Sequence, residues 1–209
     1  TVVEEPDLGG IYRFTCAEGP LEVPTETVTA LGDSLSVAMF VRPVHDARDA
    51  TPQNLLFVEN KGQKRQWIKF MLRWNRLIVF QNLAILGDSM NVLEPNQWAH
   101  VVLVRAGERV AVYTNGELQY DVEAEDVAPG FDDKIFVGSK EFGGDLSHVT
   151  FFGEALTAGD VRDLYRVFPS PKLEIEPVEE VELDQRAEEA REKLNDMSKK
   201  DARKSSGIE

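Results

Sequence analysis

The chain has 209 residues, of which 42% are hydrophobic and 9% aromatic, and its formal net charge is −14 at pH 7. This length and apolar content suit one large globular domain or two small ones. The acidic excess argues against nonspecific binding to nucleic acid or anionic membranes, and no apolar run reaches the roughly 18 residues of a transmembrane helix.

Cys16 is the only cysteine, so the chain cannot form an internal disulfide. We expect it to be a small buried residue within a strand, the common environment of an unpaired cysteine. The chain also has no N-x-[ST] sequon. Both features favour an intracellular or organellar location, with secretion left open. A start at Thr1 rather than Met fits a processed or partial chain, so the native N-terminus and any targeting peptide stay unknown.

Residues 1–9 are polar and acidic, and we expect them to form a loose N-terminal arm. From residue 10 onward, short runs of β-branched and aromatic residues alternate with turn residues, a pattern that predicts strands. The clearest run is 34–43, where large apolar side chains recur at every second position and Pro43 ends the ladder. The predicted strands are 11–15, 34–43, 54–59, 66–72, 76–81, 98–105, 109–114 and 117–121.

Several short polar sequences predict the turns between these strands. Asn115-Gly116 is the strongest hairpin signal, because both residues accept the positive φ angles of a type I′ turn. We expect further turns at Trp74-Asn75 and at Gly87-Asp88, and a polar loop over 44–53.

One short helix is predicted late in the chain. Thr157 and Asp160 resemble a capping box in which aspartate replaces glutamate. An apolar stripe follows at helical spacing, and prolines after it end the helix. The stripe consists of Val161, Leu164, Tyr165 and Phe168. We expect this helix to cap one end of the core.

Residues 169–209 form a charged linker and an amphipathic tail. The pattern from Leu183 to Met197 is helical, with favourable pairs of opposite charge four residues apart. Its narrow apolar face consists of Leu183, Ala187, Ala190, Leu194 and Met197. Two interpretations stay open: a solvated, partly helical tail, or a helix that docks into a groove on a partner protein.

The order of several motifs resembles a known group of domains. These are residues 34–43 (SLSVAMFVRP), 98–105 (WAHVVLVR), 112–118 (VYTNGEL), 135–138 (IFVG) and the run from 142 that begins FGGDLSHV. Their sequence and spacing are similar to laminin-G-like or pentraxin-like domains of the concanavalin-A-like lectin and glucanase superfamily. The resemblance covers residues 10–168. It implies an all-β fold, a two-sheet antiparallel jelly-roll sandwich with one short helix.

Calcium is one option that the resemblance implies, because some members of this group hold Ca²⁺ at one rim through loop aspartates. The candidate ligands here are Asp132, Asp133, Glu141 and Asp145. Ser147 stands where an aspartate is common, and His148 where a glutamate is common. Calcium requires six to eight oxygen ligands, usually with several carboxylates. We therefore expect no cofactor, with calcium as the alternative.

Catalytic residues are not predicted. Glucanases of related fold carry closely spaced acidic residues of the form E-x-D-x-E, which supply an acid and a nucleophile. No such motif occurs here, and the acidic cluster at 121–126 is typical of a solvated loop. We therefore predict that the protein is not an enzyme, and a hydrolase with an unrecognised cleft ranks last.

Tryptophans and histidines are the remaining candidates. Trp67 and Trp74 flank a basic region, so they could form an aromatic platform for a sugar, although core packing is the commoner outcome. His45, His100 and His148 show no metal-ligand spacing, and a structural role is expected for His100.

Two functions follow from these patterns. The first is a noncatalytic protein-interaction or accessory module of a larger assembly, docking through the sandwich surface and the tail. The alternative is a lectin-like carbohydrate-binding domain, which depends on fold analogy.

Overall fold

The computed structural model describes residues 2–5, 9–16, 19–24, 26–27, 34–44, 51–60, 65–81, 84–124 and 134–167, with the backbone alone for 3–5, 9, 60 and 65–67. The chain divides into two units, Thr1–Pro171 and Lys172–Glu209. All the described residues lie in the first unit, and the predicted tail lies outside them.

The described residues form the predicted two-sheet sandwich, and every strand pair is antiparallel. The seven-stranded sheet contains, in spatial order, β1 (Val2–Glu5), β2 (Gly9–Thr15), β13 (Gly143–Phe152), β4 (Ser34–Pro43), β9 (Ala99–Ala106), β10 (Arg109–Thr114) and β11 (Glu117–Glu123). The six-stranded sheet contains β3 (Leu21–Glu22), β12 (Lys134–Val137), β5 (Gln53–Asn60), β6 (Arg65–Arg73), β7 (Arg76–Gln81) and β8 (Ala84–Val92).

The main core lies between the inner faces of the two sheets. In β4 every second side chain points inward, as the period of two predicted, and Leu35, Val37 and Met39 are all buried there. Phe70 of β6 and Val79 of β7 reach the same core from the other sheet. Burial of such side chains stabilises the fold by about 1.5–3 kcal/mol each.

Two predicted hairpin turns are confirmed. Asn115 and Gly116 have φ angles of 52° and 82°, and they join β10 to β11. Trp74 and Asn75, at 52° and 56°, join β6 to β7 in the same way. Positive φ at both central positions is the type I′ signature, which matches the right-handed twist of the flanking strands.

The N-terminal segment differs from the expected loose arm. Val2–Glu5 is strand β1, and it pairs with Gly9–Tyr12 of β2 at the edge of the seven-stranded sheet. An edge strand is held by backbone hydrogen bonds, which can form with almost any side chain on the strand. The acidic composition of this segment therefore did not reveal the strand.

The turn expected at Gly87-Asp88 is also wrong, because both residues lie inside β8. A Cβ atom on Gly87 would overlap the ring of Tyr120, which packs across from β11. Gly87 therefore marks a close approach of a ring to the backbone rather than a turn. The acidic cluster after the hairpin differs as well: Asp121 lies within β11 and pairs with Arg109 at 2.7 Å.

Cys16 is exposed rather than buried in a strand. It follows β2 at a bend with a φ of 61°, and its Sγ lies 3.9 Å from the carbonyl oxygen of Glu141. Strand β2 ends at Thr15, and the left-handed conformation of Cys16 interrupts the ladder there, so Cys16 does not lie within the strand.

Helix α1 (Ala158–Val167) begins with the predicted capping box. The Asp160 carboxylate accepts a hydrogen bond from Thr157 N at 2.8 Å, and Thr157 Oγ1 accepts one from Asp160 N at 3.2 Å. The helix does not cap an end of the core as expected. Its Val161 packs on the outer face of the seven-stranded sheet, against Ala38 and Val102. No described helix is long and apolar enough to cross a membrane.

His100 lies on the same outer face and is buried, in agreement with a structural role. Its ring centre is 5.0 Å from that of Phe40 and 5.9 Å from that of Tyr165 in α1, with the last pair stacked. Burial lowers the pKa of His100 from 6.5 to about 4, because this apolar stack disfavours the charged ring. His100 is therefore neutral at physiological pH and helps to hold α1 on the sheet.

This environment predicts acid destabilisation. Since the folded pKa lies below the unfolded one, His100 contributes stability above about pH 6.5, and that contribution falls as the pH approaches 4. The loss in free energy of unfolding is up to about 3 kcal/mol. Urea denaturation across this range should show a smaller slope for His100→Phe than for the wild type. Equal slopes would contradict the burial of a neutral ring.

Candidate functional site

An open groove of about 610 Å³ lies on the outer face of the six-stranded sheet. Its floor comes from β5, β6, β7 and β8, and its wall from the segment that follows β12. The apolar lining side chains are Pro20, Pro52, Phe57, Met71, Ile78, Phe80 and Ile85. The polar and charged ones are Thr51, Asn54, Lys69, Arg73, Ser139, Lys140 and Glu141.

Strand register explains how these residues meet. In β6 the side chains of Ile68, Phe70 and Leu72 enter the core, so Lys69, Met71 and Arg73 point to the opposite face. Across the sheet, Lys69 is the Cα partner of both Phe57 and Phe80, and Met71 is the partner of Ile78. The groove therefore has a cation–methionine–cation line along β6 with apolar side chains on both sides.

The charge at the groove is positive although the whole chain is acidic. Its described lining contains Lys69, Arg73 and Lys140, against the single carboxylate of Glu141. Lys140 and Glu141 are 3.8 Å apart at the exposed rim, a separation that gives a weak pair. The groove can therefore attract anionic groups.

Three buried polar atoms on groove-lining residues have no hydrogen-bond partner in the described part of the chain. They are Asn54 Oδ1, Arg73 Nε and Ser139 Oγ. Each such atom costs about 1–3 kcal/mol relative to a satisfied one. Among the described residues, Asn75 Oδ1 and Thr114 Oγ1 away from the groove share this property, so these atoms do not by themselves identify a binding site.

Trp74, one of the two predicted ligand-binding tryptophans, lies beside this groove at the tip of the β6–β7 hairpin. It is half exposed, and the Arg73 guanidinium carbon lies 4.2 Å from its ring centre. One face of the ring is therefore covered by a cation. The other tryptophan, Trp67, has its backbone in β6, and its side chain lies outside the described part.

Asp145, a predicted calcium ligand, does not fit that role. It lies in β13 between β2 and β4, and only 1% of its side chain is exposed. Its Oδ1 accepts a hydrogen bond from Arg13 Nε at 2.8 Å, and its Oδ2 accepts one from Arg42 Nη2 at 2.6 Å. Both carboxylate oxygens thus already bind guanidinium groups, and two adjacent positive charges repel a cation. Trp98 stacks on Arg42 at 4.7 Å and completes this cluster.

The other calcium candidates are not brought together with Asp145 by the described residues. Glu141 lies at the groove rim, and Asp132 and Asp133 fall outside the described residues, so they stay untested. Within the described ranges, no group of three or more His, Cys, Asp or Glu side chains could hold a metal ion.

Ser147 and His148, which replace the acidic residues of the resembling domains, contact each other. Ser147 Oγ lies 2.8 Å from His148 Nδ1, and a β-bulge follows where His148 has a φ of 48°. His45 lies outside the described part. So do all five residues of the tail's apolar face: Leu183, Ala187, Ala190, Leu194 and Met197. Partner docking by that face stays a prediction.

Sequence reasoning missed the groove, although a signal for it was present. Leu77, Ile78, Val79 and Phe80 form a continuous apolar run in β7, and such a run indicates a strand covered on both faces. The sequence places Lys69 and Arg73 in the basic region near Trp67 and Trp74 but does not indicate a groove there. The pocket also depends on residues 51–54 and 139–141 meeting across β5 and β12, which local patterns do not predict.

Comparison with known proteins supports the fold. A laminin G-type family model, described as the concanavalin A-like lectin/glucanases superfamily, matches residues 17–162. No curated protein matches the chain significantly.

Several solved structures share the fold at low sequence identity. The receptor-binding domain of botulinum neurotoxin type G is 15% identical with a TM-score of 0.60, and the match covers 81% of this chain and 47% of that one. A pentraxin from Limulus polyphemus is 20% identical with a TM-score of 0.54 and coverages of 74% and 80%. Domain 4 of an extracellular arabinanase from Geobacillus stearothermophilus, in complex with arabinotriose, is 19% identical with a TM-score of 0.59 and coverages of 79% and 80%. The present chain thus spans under half of the neurotoxin domain.

The contacts of Asp145 predict a structural rather than a metal-binding role. Asp145→Asn should lower the free energy of unfolding by about 3 kcal/mol, because it removes the charge that both arginines contact. The matched control Asp121→Asn removes an exposed pair with Arg109 and should cost less than about 1 kcal/mol. Urea denaturation with and without calcium chloride measures both. Calcium-dependent stabilisation that Asp145→Asn abolishes would show that Asp145 is a ligand after all.

Proposed function

The chain belongs to the concanavalin A-like lectin/glucanases superfamily, and on that premise we propose that it is a noncatalytic module that recognises a partner protein. The proposed binding site is the groove on the outer face of the six-stranded sheet. The observation that carries the proposal is the apolar lining of this groove, where Phe57, Met71 and Ile78 form a buried floor and Ile85 is half exposed.

The lining of the groove supports a binding role rather than a hydrolytic one. Glycoside hydrolysis requires two carboxyl groups a fixed distance apart, and Glu141 is the one carboxylate among the described lining residues. Sheet register fixes Phe57 beside Lys69 on the neighbouring strand, and Met71 lies two positions from Lys69 on β6, so the floor is a preformed surface.

The chemistry of the floor favours a protein ligand. Aromatic side chains, methionine and arginine are enriched in the cores of protein interfaces, and Phe57, Phe80, Met71 and Arg73 supply all three kinds here. Methionine also adapts its shape to different apolar partners. Ile85 adds a half-exposed aliphatic side chain at the β8 end.

A carbohydrate ligand is the second candidate. Trp74 is half exposed beside the groove and could stack on a sugar, and Phe57 and Phe136 stack with ring centres 4.9 Å apart. The covering of one Trp74 face by Arg73 limits such a platform. This limit on stacking ranks the carbohydrate candidate second.

A displayed library of random peptides tests the proposal. Peptides selected on the wild-type domain should bind Ile85→Asp about tenfold more weakly, because the variant puts a charge on the apolar floor. Leu118→Asp is the matched control: Leu118 and Ile85 are both 53% exposed, but Leu118 does not line the groove. Its affinity should equal that of the wild type.

Two results would count against a protein-binding groove. One is that selected peptides bind both variants equally. The other is that no peptide is enriched, while a glycan array shows binding to the wild type and to Leu118→Asp but not to Ile85→Asp. That result would favour the carbohydrate candidate.

A further inference from the structure

The charges along β6 form a regular pattern in the groove, and this pattern defines the ligand more closely than a general binding surface would. Lys69, Met71 and Arg73 occupy alternate positions of one strand and line the groove together. Alternate residues of a strand lie about 6.6–6.8 Å apart on the same face. The floor therefore presents cation, apolar group and cation at the repeat distance of an extended chain.

Apolar side chains from the neighbouring strands flank this line. Phe57 stands beside Lys69 on the β5 side, and Phe80 stands beside it on the β7 side. Ile78 stands beside Met71. Lys69 therefore stands between two aromatic residues on the groove face of the sheet.

We infer, on the basis of the proposed function, that the groove binds an extended peptide segment with acidic residues at positions i and i+4 and an apolar residue at i+2. The acidic side chains pair with Lys69 and Arg73, and the apolar one packs on Met71. Lys140 adds a third positive charge at the rim, which strengthens the attraction of an acidic segment. The register of β6 thus sets the spacing that the partner must match.

Three capped nonapeptides of glycine and serine test the spacing by NMR titration. The first carries glutamate at its third and seventh positions and leucine at its fifth. The second replaces both glutamates by lysine, and the third places the glutamates side by side. Only the first should bind the wild-type domain, and its affinity should fall as sodium chloride increases.

Charge reversal tests the pairing itself. Lys69→Glu should weaken binding of the glutamate peptide at least about tenfold, and Lys69→Glu combined with Arg73→Glu should allow the lysine peptide to bind. Lys140→Glu should weaken it less, because its side chain is 76% exposed. Arg166→Glu is the matched control, with 74% exposure and a similar weak ion pair to Asp163 outside the groove, and it should have no effect. Circular dichroism confirms that each variant is folded.

The outcomes separate this inference from the proposed function. If library peptides depend on Ile85 but carry no acidic residues and are unaffected by Lys69→Glu, the groove binds protein and the charge pattern is wrong. If the glutamate peptide binds equally well with its charges adjacent, the spacing is wrong. If no peptide depends on the groove, both are overturned.

Discussion

Both sheets of this sandwich carry large apolar side chains on their two faces, so the fold has four apolar faces to cover. Packing the inner faces together covers two, and this forms the main core around residues such as Met39 and Phe70. Helix α1 covers the outer face of the seven-stranded sheet through Val161 and Tyr165. On the outer face of the six-stranded sheet, Met71 and Ile78 lie buried at the floor of a groove whose wall includes residues 139–141.

That asymmetry gives the two outer faces different roles. On the seven-stranded sheet, Asp145 is buried between two arginines and His100 is buried between aromatic rings, so its polar groups serve stability. On the six-stranded sheet, Lys69 and Arg73 line an open groove beside apolar side chains. The proposed function uses this groove.

The sequence predicts the sandwich well because its signals are local. A period of two in β4, Asn-Gly in the β10–β11 turn and a capping box before α1 each determine their own element. Two predictions failed for different reasons. Tyr120, which is distant in sequence, makes Gly87 a packing position, and the left-handed bend at Cys16 exposes its thiol. The groove was missed because it joins residues that are distant in sequence, from four strands and three loops. The pairing of Asp145 could not be predicted either, because its arginine partners are more than 100 residues away in sequence.

Methyl NMR of the domain labelled at isoleucine and methionine tests most directly whether the groove receives the partner. On addition of a peptide selected on the domain, the signals of Met71, Ile78 and Ile85 should shift, because all three line the groove. Met90 is an internal control, since it lies on the same strand as Ile85 and is 81% exposed but does not line the groove. A shift of Met90 without changes at Met71, Ile78 and Ile85 would contradict binding in the groove.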